Sequence, residues 1–148
     1  MNLKEINIGI GLGDLKLDSP RETVEVLLGK PFEKEKYNLS ELDDDATEAW
    51  HYDEQDLSLS FDEENNWLLT SIAVSSDQYT LDGVALVGKS KKDALLFIDK
   101  KGWKDVEEDE EIANEEPGNS LLHINDANMS FWFVEDVLTE IQFGALLS

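Results

Sequence analysis

Two histidines, His51 and His123, are the residues of this 148-residue chain best suited by type to acid–base work or metal ligation. A catalytic imidazole needs a nucleophile or a carboxylate at a spacing that brings it to the ring, and the sequence specifies none for either histidine. The chain has no cysteine, which removes thiol nucleophiles, disulfides and zinc–thiolate sites together. Arg21 is its only arginine. Gly9-Ile10-Gly11-Leu12-Gly13 has the look of a phosphate loop, but such a loop must open a helix whose N-terminus holds the phosphate. Here the glycines lie inside a strand pattern and the helix signal begins only at Ser19, so close backbone approach or a bulge is the better reading. The acidic runs Asp43-Asp44-Asp45 and 107–116 lack the central glycine and closing glutamate of a calcium loop. They read as solvated loops. No catalytic residue, metal or cofactor is expected.

The elements that must position these residues are marked by periodicity. Ile6, Ile8, Ile10 and Leu12 alternate with Asn7, Gly9 and Gly11, which predicts one strand, and Leu15–Leu17 predicts a short second one. Ser19 as cap, Pro20 at the first helical position and Glu22 open a helix whose buried stripe is Val24, Leu27 and Leu28; Gly29 and Pro31 close it. Residues 33–48 are polar and read as a loop. Trp50 and Tyr52 then share one strand face, Leu57, Leu59 and Phe61 share another, and Asp62–Asn66 leads into a strand at Trp67–Val74. After Gly83 the order recurs. Val84–Val87 is a short strand, Ser90 caps a helix with Asp93 behind it, and Leu95 and Ile98 are its core candidates. Gly102 ends it, and strands follow near Leu121–Ile124, Met129–Phe133 and Val137–Phe143.

The recurrence is an internal repeat. The interval from Ser19 to Trp50 equals that from Ser90 to Leu121, and Leu69-Thr70-Ser71-Ile72 matches Leu138-Thr139-Glu140-Ile141. Phe61 and Phe131 stand at similar distances before the paired Ile72 and Ile141. Residues 1–82 and 83–148 are therefore expected to be two copies of one unit in a single structural domain. The fold class expected is α+β, with both short helices packed on one face of antiparallel sheet. Strict alternation puts His51 and His123 on the opposite face, together with Trp132, Leu69 and Leu138. An exposed sheet face carrying a tryptophan marks an interaction surface. The expected binding residues are thus Trp132, His51, His123, Leu69 and Leu138, rimmed by Asp43, Asp44 and Asp45.

The charge narrows the partner. With 34 acidic against 12 basic side chains the formal net charge is −22. Such an excess repels nucleic acid and anionic lipid within a Debye length of about 8–10 Å, and speeds encounter with a basic protein. No apolar run reaches the roughly 18–20 residues of a membrane span, and the N-terminus carries no basic region followed by an apolar stretch. A cytoplasmic protein that binds another protein, with a homodimer as one form, is expected.

The string Leu17-Asp18-Ser19-Pro20-Arg21-Glu22-Thr23-Val24, continuing to Leu27-Leu28-Gly29 and Pro31, is followed by Trp50-x-Tyr52 and Leu57-x-Leu59-x-Phe61. It resembles the repeat unit of β-lactamase-inhibitor-protein-like folds and is similar to small outer-membrane-assembly lipoproteins that share that unit. The likeness covers residues 13–74 well and 83–144 loosely, because Lys101-Gly102-Trp103 replaces the Leu-Gly-x-Pro ending in the second copy. What the resemblance implies is protein binding, as an inhibitor or an assembly factor. Without a cysteine to acylate, an immunity-type protein fits what remains, and an assembly scaffold is the alternative.

Overall fold

Charge sorted by strand alternation decides where the sheet ends. Glu33-Lys34-Glu35-Lys36 has no apolar pattern, yet it forms a strand at the sheet's edge, β4 (Glu33–Asn38), paired along its length with β5 (Ala46–Tyr52). Alternating charge on an edge discourages pairing with another chain. At the other edge the acidic β9 (Val106–Glu108) pairs with β10 (Ser120–Ile124). Both segments read as loops from hydrophobicity alone.

The computed structural model describes residues 3–38, 46–109 and 119–145. Between the two edges lie β6 (Leu57–Asp62), β7 (Leu68–Val74), β11 (Met129–Val134) and β12 (Val137–Gly144). They complete an eight-stranded antiparallel sheet of order β4-β5-β6-β7-β12-β11-β10-β9. A small mixed sheet holds β1 (Glu5–Asn7), β2 (Gly11–Leu12), β3 (Leu15–Lys16) and β8 (Thr80–Leu81), with β1 and β8 parallel. The two α-helices are α1 (Arg21–Leu28) and α2 (Lys91–Lys101). Among the described residues strand outweighs helix by 46% to 20%, so the fold is mainly β, and the α+β expectation is corrected.

Each half supplies one helix and then four consecutive strands of the large sheet, and the ladders match position by position. Trp50 pairs with Leu59 as Leu122 pairs with Phe131, and Phe61 pairs with Leu69 as Phe133 pairs with Leu138. Phe61 therefore corresponds to Phe133, not to Phe131. The spacing misled because the β6–β7 connection holds an extra 3-10 turn, Glu63–Asn65, absent from the tight β11–β12 turn.

Both helices bury their inner stripe against one face of the sheet, where Trp50, Leu59, Phe61, Ile72, Phe131, Phe133, Ile141 and Phe143 form the core with Val24, Ala94 and Ile98. The α2 start is as expected, with the Asp93 N–H donating to Ser90 Oγ at 3.1 Å. At α1 the cap position is Pro20, which has no side-chain acceptor, and Ser19 Oγ donates instead to the Lys16 carbonyl. Leu95 is 43% exposed and not a core residue. The first predicted strand is a hairpin that leaves Ile10 exposed. Gly11 is what allows it, since a Cβ there would stand 2.1 Å from the Leu15 carbonyl oxygen. Val84–Val87 is not a strand, and only Val84 makes a bridge, to Leu81.

A second departure from strict alternation matters more. The ladder shifts between Ser60 and Phe61, and again between Trp132 and Phe133. Thr70 and Thr139 are the extra residues of two equivalent β-bulges, each donating its hydroxyl across the strand, to the Ser60 and Trp132 carbonyls at 3.0 and 3.2 Å. The bulges turn Leu69 and Leu138 inward, where each is fully buried. Each leucine's backbone is also held on its far side by the segment before a helix. Leu69 exchanges hydrogen bonds with Asp18 and Ser19, and Leu138 with Gly88 and Lys89. Leu69 and Leu138 are thus core residues that fix the helix starts, and the expectation that they face outward is corrected.

Candidate functional site

On the helix-free face, direct cross-strand partners line up from edge to edge. The row runs Glu33, His51, Ser58, Ala73, Gln142, Ser130, His123, Glu107, each the Cα partner of the next. None of the eight is buried. The row is close to palindromic because a pseudo-two-fold axis passes through the Ala73–Gln142 pair of the β7–β12 ladder. His51 Nδ1 lies 2.9 Å from Ser58 Oγ, and His123 Nδ1 lies 3.0 Å from Ser130 Oγ. On the other side of each ring, Nε2 faces a carboxylate at the sheet's edge: Glu35 of β4 at 3.7 Å for His51, and Asp109, just past β9, at 3.8 Å for His123.

Carboxylate, imidazole and hydroxyl are the groups of a nucleophilic triad, so their chemistry must be weighed. Both carboxylates stand beyond hydrogen-bond distance of the rings. Ser58 and Ser130 lie on interior strands paired on both sides, so the backbone N–H groups around them are committed to the ladder. None is left to stabilise an oxyanion, the contribution that usually carries acyl transfer. An apolar groove along α2, lined by Lys92, Leu95, Leu96 and Asp136, lies on the other side of the sheet. Among the described residues no group of three or more histidine, aspartate or glutamate side chains is set to hold a metal.

Beside the row the two halves diverge. Next to His51 lie Ala49, Ser60 and Ser71, all small, whereas the equivalent places beside His123 carry Leu121, Trp132 and Glu140. Trp132 is half-buried on the outer face, as the alternation predicts, and stands outside the core cluster. Leu121 is buried beside it. Desolvation in this setting raises the Glu140 carboxyl above the usual carboxylate range. A folded pKa above the unfolded one means that the folded state binds the extra proton. The associated stability is fully present below the unfolded pKa and is lost as pH rises through the folded one. Glu140→Gln is therefore expected to raise the melting temperature at neutral pH, with the gain shrinking as the solution is acidified. A gain that does not change with pH would mean that burial of the charge is not its cause.

Three of the expected binding residues, His51, His123 and Trp132, share this face. Leu69 and Leu138 are on the other side, and Asp43, Asp44 and Asp45 lie outside the described residues. Sequence reasoning missed Ser58, Ser130, Glu35 and Asp109. A signal was present, since each histidine has a serine seven residues on. Among the described residues no helix is long and apolar enough to cross a membrane. Compared with known protein families, characterised proteins and solved structures, the chain matches none.

Proposed function

We propose that this is a non-catalytic cytoplasmic protein that binds another protein through the helix-free face of its eight-stranded sheet, as an inhibitor or immunity-type protein. The observation that carries the reading is the edge-to-edge row of unburied, mostly polar side chains with Trp132 beside it. An aromatic anchor next to fixed hydrogen-bonding groups is the usual composition of a protein-binding patch. The resemblance of the helix-plus-antiparallel-strands unit to β-lactamase-inhibitor-protein-like folds also implies protein binding. The partner is basic rather than a second copy. Face-to-face self-association would set Glu33, Glu35, Glu107 and Asp109 of one copy near their counterparts on the other, and like charges brought together cost affinity.

Affinity capture from native lysate tests the reading with paired variants. Trp132→Ala or His123→Ala should lose the captured protein. Leu96→Ser, on the exposed side of α2, should keep it. The reverse pattern would move the interface to the helix side.

A further inference from the structure

We propose that this face is bivalent, with one station for a cationic side chain at each end of the row, and that its partner is a basic protein surface presenting two positive groups at a matching separation. The inference rests on the protein-binding reading above and adds to it the number, spacing and charge of the contacts.

The first support is how the sheet distributes charge. Its strands carry only two basic residues, Lys34 and Lys36, and both lie on the helix side. Lys34 Nζ sits 4.4 Å from the Trp50 ring centroid and Lys36 Nζ 5.2 Å from that of Trp67. Alternation sends the neighbouring Glu33 and Glu35 to the outer face, where Glu33 opposes His51 and Glu35 opposes Ala49. At the other edge Glu107 opposes His123, and the Asp109 N–H donates to the Leu121 carbonyl. The alternate residue there, Glu108, pairs on the helix side with Lys91 at 3.2 Å. The outer face of these strands thus carries carboxylates at both ends and no lysine or arginine. A cation arriving there meets complementary charge at each edge, beside the imidazoles that face Glu35 and Asp109.

The second support is symmetry. The two ends are not merely both acidic. Each presents the same set in the same order: two carboxylates two residues apart at the sheet's edge, a histidine, and a serine held to its Nδ1. The axis through Ala73 and Gln142 relates them. With strands about 4.8 Å apart, the histidines are about 24 Å apart and the edge strands about 33 Å. Both ends can be engaged at once only by a ligand that spans this distance, and two-ended engagement multiplies affinity without any new kind of contact.

Polyproline rulers test this with the full-length protein. Peptides carrying an Arg-Arg pair at one end or at both ends of a proline spacer extend about 3.1 Å per residue, so the span corresponds to about eight to eleven prolines. Calorimetry at fixed salt should show an optimum in that range, with binding at least about tenfold tighter than for the one-ended peptide. Glu35→Gln or Asp109→Asn alone should each bring the two-ended peptide down to the one-ended level. If affinity follows peptide charge with no spacer optimum, yet falls in these variants, bivalency is wrong and the binding face stands. If neither variant nor Trp132→Ala alters binding of any peptide, both the inference and the face it rests on are overturned.

Discussion

Deleting Thr139 is expected to destabilise the protein by more than truncating any one side chain that its bulge positions. Thr139 is the extra residue that lets Leu138 and Ile141 both face the core. Without it strict alternation returns, and a one-residue slip exchanges the faces of every side chain on one side of the break. Either Leu138 leaves the core and loses its paired hydrogen bonds to Gly88 and Lys89, or Ile141 and Phe143 turn outward at the central ladder. Leu138→Ala, which removes only the side chain, should cost about 2–5 kcal/mol. Thr139→Val, which keeps the residue count and loses the hydroxyl donation to the Trp132 carbonyl, should cost about 1 kcal/mol. Urea unfolding of the three variants gives the order deletion, then alanine, then valine. A deletion no worse than the valine variant would mean that the strand reaches its register without the bulge. Thr70 and Leu69 in the first half should give the same order.

These bulges also explain where the sequence misleads. Alternation alone reads β5, β6 and β11 correctly, because their ladders are regular across the core: Trp50 with Leu59, and Leu122 with Phe131. On β7 and β12 the same rule puts Leu69 and Leu138 on the wrong face, since a bulge leaves no mark in hydrophobicity. The edge strands β4 and β9 escape for a related reason. Half of each is solvated and the other half meets its partner through charge, as Lys34 does over Trp50 and Glu108 does with Lys91. Missing both strands made the chain look richer in loop and relatively richer in helix than it is. The repeat itself is legible, because glycine stops and the Leu-Thr-x-Ile strands are local signals, although only the second helix has the serine cap that both copies suggest. The cross-sheet row is only half legible. Its histidine and serine recur at one spacing in both halves, but which carboxylates join them depends on edge strands that hydrophobicity does not reveal.

Trp132→Ala is expected to weaken binding to the captured partner by about 2 kcal/mol or more, roughly 30-fold, while leaving the fold nearly as stable as before. The two effects separate because Trp132 and its strand neighbours Phe131 and Phe133 face opposite ways. Phe131 and Phe133 are buried in the core, and Phe131→Ala should cost about 3–5 kcal/mol of stability. Trp132 stands outside that core, over Leu121 and beside Glu140. Its counterpart in the first half is Ser60, so this one position supplies the face with a large anchor on one side only. Loss of an anchoring aromatic contact should appear mainly as faster dissociation. Replacing Glu35 and Asp109 by their amides should instead slow association and flatten its salt dependence, because rim charges act on encounter. Surface plasmon resonance on the three variants at two salt concentrations reads both rates. A tryptophan variant with unchanged dissociation and a lowered melting temperature would assign Trp132 to the fold, and the outer face would then lack its anchor.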